Sequence, residues 1–184
     1  FRSSVSAALA MMEPQLKTRA VKITRGLPRQ PVMVMADRIR LEQVIINLLR
    51  NALDATKGVS QPQIDILLSA GETATLTVRD NGHGIEDLDN LFEPFYTTKK
   101  PGDGTGLGLA ISSGIVTDLG GRLTAHNASG GGAVGEVGLI VVDDLIGGGG
   151  GQAHQAASQS RQEFRAVHCF SPLSAWAVDS VWAL

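Results

Sequence analysis

The sequence predicts a mixed α/β domain, and three observations predict it. Two long stretches carry apolar residues at helical spacing, several short runs alternate in the manner of strands, and glycine-rich turns separate them. The 184 residues suffice for one domain with a sizeable core and are too few for two full ones.

Residues 4–18 predict a short helix with Leu9, Met12 and Leu16 near one face, ended or kinked around Pro14. AVKIT (20–24) and PVMVMA (31–36) predict strands around a turn at Gly26, Leu27 and Pro28. Asp37 is placed to cap the longest helix, 38–56, whose Leu41, Val44, Ile45, Leu48, Leu49 and Ala52 keep helical spacing. QIDILLSA and ATLTVRD, joined across 71–73, predict a β-hairpin. Residues 82–105, rich in Gly, Asp and Lys, read as a long loop with at most one helical turn. A second amphipathic helix is expected over 106–119, with Leu107, Ile111, Ile115 and Leu119 in step and Gly120 and Gly121 as its stop. RLTAHNA and AVGEVGLIVV follow as strands, the second weakened by Gly135 and Gly138. From Gly147 five consecutive glycines and QAHQAASQSRQ predict a linker, because such a composition buries too little apolar surface to hold a fold. The final FRAVHCFSPLSAWAVDSVWAL is apolar again and reads as a docking helix or a segment foreign to the domain.

The formal net charge of −2, without a dense Lys/Arg run, leaves no electrostatic footprint for a nucleic acid or an anionic membrane surface. Cys169 is the only cysteine, so neither an intrachain disulfide nor a CxxC zinc site is available, and a reducing, cytoplasmic setting is expected. The apolar run 5–12 is broken by Glu13 and Pro14, too soon for a membrane span, so no membrane contact is expected of this stretch. The chain opens at Phe1 without an initiator Met and reads as a fragment.

Three features point to a site. Gln43, Asn47, Asn51 and Asp54 recur every three or four residues and form one polar stripe at the border of the helix's apolar face. In TATLTVRDNGHGI the apolar phase of Leu76 and Val78 continues onto Asp80, which points a carboxylate to the core side, and Gly82 and Gly84 follow. GDGTGLGLA (102–110) frees successive backbone N–H groups just before a helix N-terminus, an arrangement suited to a phosphate chain. It is not a Walker A loop, since no Gly-Lys-Ser/Thr follows, and Leu109 stands where a dinucleotide fingerprint needs its third Gly. Each feature alone also fits a plainer reading: a wet helix edge, an Asp-Asn-Gly turn, a flexible loop.

Taken in order, the motifs resemble the ATP-binding catalytic domain of two-component sensor histidine kinases, in the superfamily of gyrase, Hsp90 and MutL ATPases. LEQVIINLLRNALDA looks like the N box, DNGHGI the G1 box, LFEPFYTTK the F box and GTGLGLA the G2 box, over roughly residues 15–134. The resemblance implies a Bergerat-type, two-layer α/β (α+β) sandwich in which a mixed β-sheet packs against helices. It implies residues 1–14 as the end of an upstream dimerisation helix, 15–142 as the catalytic domain and 143–184 as an atypical Gly-rich linker and tail. Asn51 would hold Mg²⁺ through its side-chain oxygen and, with Asn47, occupy the catalytic positions. ATP would be bound by Asn47, Asn51, Asp54, Asp80, Gly82, Gly84, Ile85, Phe92, Thr98, Lys99, Gly104, Thr105, Gly106, Leu107, Gly108 and Leu109, with Asp80 taking the adenine amino group. Lys100 is the alternative to Lys99 as a source of charge from the lid, and Phe92 and Phe95 read more simply as lid packing.

In the gyrase and MutL branch a Glu activates water one turn before the metal-binding Asn. Asn47 stands there in this chain and cannot take a proton, so hydrolysis is disfavoured and transfer of the γ-phosphoryl group to a histidine is expected. None of His83, His126, His154 and His168 lies in an acceptor context. The implied partners are the protein's own dimerisation and phosphoacceptor domain and a response regulator receiver domain, with a parent protein anchored in the inner membrane. The N-box region looks most like sensors of the C4-dicarboxylate transport type. The other readings are an ATP-binding regulatory module that does not transfer phosphate and a stand-alone ATPase.

Overall fold

A computed structural model describes residues 1–71, 73–100 and 104–141. The expected linker and tail at 143–184 lie outside the described residues, as does Gly102. The elements run α1 (Arg2–Thr18), β1 (Lys22–Gly26), α2 (Arg38–Ala55), β2 (Gln63–Ala70), β3 (Thr73–Asp80), α3 (Gly108–Asp118), β4 (Arg122–Asn127) and β5 (Ala133–Ile140).

The five strands form one sheet in the order β1-β2-β3-β5-β4. β1 and β2 run parallel, joined through α2, and the other neighbours are antiparallel. On one face Ile64, Ile66, Leu68, Leu76, Val78, Leu123, Val137 and Leu139 are buried with the apolar sides of the helices in a single core. The other face carries polar groups such as Asp65 opposite Arg79, and Thr77 Oγ1 donates to Glu136 Oε1 at 3.3 Å. This is the expected two-layer mixed α/β sandwich, with the period-two alternation of each strand sorting its residues between core and water.

α2 begins as its sequence dictates: Asp37 Oδ1 accepts from the backbone N–H groups of Ile39 at 2.8 Å and Arg40 at 3.0 Å. Its buried residues include all six of the expected stripe, with Leu53 added. α1 does not end at Pro14. It continues to Thr18, whose hydroxyl donates to the Pro14 carbonyl at 2.8 Å. The expected division between 14 and 15 therefore falls inside one helix, whose buried Val5, Ala8, Leu9, Met12 and Leu16 share the core with α2.

Two expectations for strands are corrected. Residues 31–36 form no strand and make one isolated bridge, Val34 to Val141. Val32 is buried and Val34 half-buried while Met33 and Met35 are exposed, so the alternation in PVMVMA records alternating burial of an extended segment without a ladder partner. β5, expected to be weakened by its glycines, lies between β3 and β4 and is paired on both edges. A Cβ at Gly135 would stand 3.3 Å from Leu48 Cδ2, and one at Gly138 3.3 Å from Thr73 Cγ2, so the bare backbone lets β5 lie close under its neighbours. No helical turn forms between 82 and 100, and α3 starts at Gly108 rather than 106. Ile111, expected on the packed side of α3, is 40% exposed.

Candidate nucleotide site

A cavity of about 810 Å³ opens between α2, the C-terminal end of β3 with the loop after it, and the start of α3. Its size falls within the range of small-molecule sites. Leu48, Val78, Ala125, Val134 and Gly135 give it an apolar floor, and Asn51, Asp54, Asp80 and Lys99 supply polar groups at its walls.

Asp80 ends β3 on the core side, as the strand phase requires, and is only 6% exposed. Its Oδ1 accepts from the backbone N–H of Gly82 at 2.8 Å and of Ala133 at 3.3 Å. No donor among the described residues reaches Oδ2. Burial pushes the Asp80 carboxyl up from its ordinary value, and the two N–H bonds offset only part of that. The result is a carboxylate fixed through one oxygen, with the other left to accept from a ligand.

At the opposite side α3 starts without a side-chain cap. Leu107 occupies the N-cap position and no acidic residue stands in the first turn, so nothing from a side chain covers the unsatisfied N–H groups of Gly108 and its successors. Gly106 has φ +69°, and a Cβ there would come within 2.5 Å of the Phe95 carbonyl carbon. Only glycine lets the loop turn so tightly into the helix.

Between these ends lies the polar stripe of α2. Lys99 Nζ donates to Asp54 Oδ2 at 2.8 Å and to Asn51 Oδ1 at 3.3 Å. Asp54 also meets Lys57 Nζ at 3.0 Å and Arg19 Nη1 at 3.4 Å. Burial raises the Asp54 carboxyl, but the Lys99 and Lys57 ammoniums outweigh it and hold the group below its ordinary value. Among the described residues no cluster of three His, Cys, Asp or Glu side chains is grouped to hold a metal. Asn51 Oδ1 and the Asp54 carboxylate are nevertheless hard oxygen donors that already share one cation, the Lys99 ammonium, so the donor set fits a hard divalent ion completed by phosphate oxygens.

A family model described as histidine kinase-, DNA gyrase B-, and HSP90-like ATPase matches residues 36–143, which contain every residue of the cavity lining. The chain belongs to that family. The C4-dicarboxylate transport sensor protein DctB of Pseudomonas aeruginosa is 39% identical over 135 residues, 71% of this chain and 22% of that protein. DctB of Rhizobium meliloti is 42% identical over 131 residues, 69% of this chain and 21% of that protein. This chain thus spans about a fifth of the length of the curated relatives it matches. The solved catalytic domain of histidine kinase ThkA is similar at a TM-score of 0.66 and 28% identity, covering 76% of this chain and 92% of that one. ThkA in complex with response regulator protein TrrA is similar at 0.65 and 25%, covering 77% and 40%.

In this member of the ATPase family most of the sequence-derived residues converge on the cavity. Asn47, Asn51, Asp54, Asp80, Gly84, Ile85, Thr98, Lys99, Gly104, Thr105, Gly106, Gly108 and Leu109 line it. Gly82, Phe92 and Leu107 do not. A Cβ at Gly82 would stand 2.3 Å from the Ala55 carbonyl oxygen, so this glycine lets the loop close onto α2 rather than opening space for a base. Phe92 packs on the core, and Phe95 is 74% exposed. Asn47 reaches the lining but is committed elsewhere. Its Nδ2 donates to the buried Ser112 hydroxyl at 3.0 Å, and Gly108 lies directly over its Oδ1. The apolar floor, Ser112, Arg19 and Asn127 were not legible as site residues. Val78, Val134 and Gly135 read as ordinary strand positions, and the other three meet their partners only across long stretches of sequence.

Proposed function

We propose that this chain binds Mg-ATP in the cavity between α2 and α3 and transfers its γ-phosphoryl group to a histidine on a separate phosphoacceptor domain, for relay to a response regulator. The observation that carries the reading is Asp80. A buried carboxylate with one oxygen tied to two backbone N–H groups and the other unclaimed selects a donor such as the adenine amino group over the guanine carbonyl. The apolar floor receives the flat face of the base, and the uncapped start of α3 faces the triphosphate. Asn51 and Asp54 would hold Mg²⁺, which when bound neutralises charge on the phosphates. Lys99, freed from these two side chains, would follow the phosphates as a mobile positive charge.

Chemistry of this kind rests on positioning and charge neutralisation, so a protein base on this side of the site is not required. Asn47 supports transfer over hydrolysis. It is an amide, its nitrogen is used by Ser112 and its oxygen is covered by Gly108, so it offers no base to an attacking water. The parent protein is proposed to be a membrane-anchored sensor resembling those for C4-dicarboxylates. In this chain no helix among the described residues is long and apolar enough to cross a membrane.

Titration calorimetry with Mg-ATP and Mg-GTP tests the binding step, and incubation with labelled ATP and a separately supplied phosphoacceptor domain tests transfer. Tighter binding of Mg-ATP than of Mg-GTP and acid-labile label on the acceptor histidine are expected. Absence of heat with ATP in folded protein would overturn the binding reading, and steady phosphate release without labelled acceptor would overturn the transfer reading.

A further inference from the structure

Asn127 belongs to none of the motifs and does not line the cavity, yet its side chain makes two bonds to one residue that does. Its Oδ1 accepts from the Ile85 backbone N–H at 2.7 Å and its Nδ2 donates to the Ile85 carbonyl at 2.9 Å. A primary amide offers one acceptor and one donor side by side, so it pairs with Ile85 as a strand neighbour would. The assignment of oxygen and nitrogen is fixed by the partners, since the flipped amide would set donor against donor and acceptor against acceptor. Gly84 closes onto the same group. It has φ +81°, and a Cβ there would stand 2.8 Å from Asn127 Oδ1.

The position of Asn127 in the sheet adds a second link. β4 is an edge strand, and Asn127 is its last residue, paired opposite Ala133 of β5. Ala133 is the residue whose N–H donates to Asp80 Oδ1. The turn between the two strands is closed by Ala128 N–H to the Gly132 carbonyl at 3.0 Å, and Gly132 packs on the Asp80 backbone so closely that no side chain fits there. One residue thus connects the loop at Gly84 and Ile85 to the turn that orients the Asp80 carboxylate.

We propose that Asn127 is a positioning residue for base selection, holding Ile85 and the Ala133 N–H in the geometry that leaves one Asp80 oxygen facing the base. The inference rests on the ATP-binding reading above. It acts through Ile85 and Ala133, so it governs preference among bases more than the grip on phosphates. Asn127 is exposed at a strand end, so its replacement opens no buried cavity.

Amide hydrogen exchange and calorimetry on the same chain test it. In Asn127→Ala the nucleotide-free protein should keep its melting transition while the Ile85 amide exchanges faster. Mg-ATP affinity should fall by about tenfold, because only about a tenth of the loosened loop then holds the geometry that presents the free Asp80 oxygen, while the weaker Mg-GTP affinity stays unchanged. Asn127→Asp keeps an acceptor for the Ile85 N–H but sets a carboxylate oxygen against the Ile85 carbonyl, and should lose the preference at least as far. An unaltered preference for ATP over GTP in both variants would overturn the inference. Equal loss of both nucleotides together with a lowered melting temperature would overturn it too, by reducing Asn127 to general support. A wild-type chain that takes up no Mg-ATP would sink the underlying reading and this inference with it, whereas a wild type that binds beside unaffected variants sinks the inference alone.

Discussion

Asp80 places binding and stability in opposition at a single carboxyl group. Its folded pKa lies above the unfolded value because burial disfavours the charge. The sign of linkage follows: this group costs nothing below the unfolded pKa, and its ionisation destabilises the fold progressively as pH rises through the raised value. Asp80→Asn keeps an acceptor for the N–H groups of Gly82 and Ala133 and removes the charge. The variant should unfold at higher denaturant than wild type at neutral pH, with the gain shrinking in acid, while ATP affinity drops roughly ten- to a hundredfold for the lost charged acceptor. Chemical denaturation across pH and calorimetry check the two halves. Asp54 behaves in the reverse sense, because Lys99 and Lys57 overcome its burial and depress its pKa. Its contribution is present above the unfolded value and is lost as pH falls through the folded one. Lys99→Met should therefore cost about 0.5–1 kcal/mol at neutral pH and nothing once Asp54 is protonated, as read by denaturation at both conditions. The inward phase of Asp80 was legible because strand alternation is a local rule. The engagement of Lys99 with Asn51 and Asp54 was not, since the partners stand 48 and 45 positions apart.

Among the elements, α2 was the most fully legible in the sequence. Its cap, its stripe and its length all follow from near neighbours, and Asp37→Ala should destabilise the domain by about 1 kcal/mol through two lost cap bonds, measurable as a shifted unfolding midpoint. The segment 31–36 shows why the same kind of reading fails elsewhere. Alternation in Val32, Val34, Met33 and Met35 correctly reports which side chains are covered, but a ladder needs a neighbouring strand, and neighbours are a property of the whole sheet. α1, legible over 4–18, runs through Pro14 for a reason of its own. The propensity cost of Pro14 is real, but tertiary burial of Met12 and Leu16 on either side of it carries the helix through. The loop entering α3 is set by Gly106, where positive φ and close approach to Phe95 coincide. Gly106→Ala should lower the unfolding free energy by more than ~1 kcal/mol and weaken nucleotide binding with it. A variant with unchanged denaturation and affinity would show that the turn tolerates a side chain.

For the molecule as a whole, the sheet, α2 and α1 share one core, with α1 packed against α2. Four ordered motifs make the sandwich and the family legible in the sequence, whereas the strand order and the packing of α1 depend on contacts that no short motif encodes. Removing residues 2–18 would strip cover from the buried face of α2, and the shortened chain should lose its cooperative melting transition. Retention of a sharp transition in scanning calorimetry would show α1 to be an appendage.

The fit of Gly108 over the amide of Asn47 ties the histories of two positions together. A methyl group at 108 would stand 2.5 Å from Asn47 Oδ1, so alanine there obliges that amide to turn away and give up its bond to Ser112. Shortening residue 47 first, at the expense of a widowed Ser112 hydroxyl, vacates the space. A side chain at 108 and the Asn47–Ser112 bond are therefore coupled, and a double-mutant cycle at positions 47 and 108 should read that coupling as non-additivity.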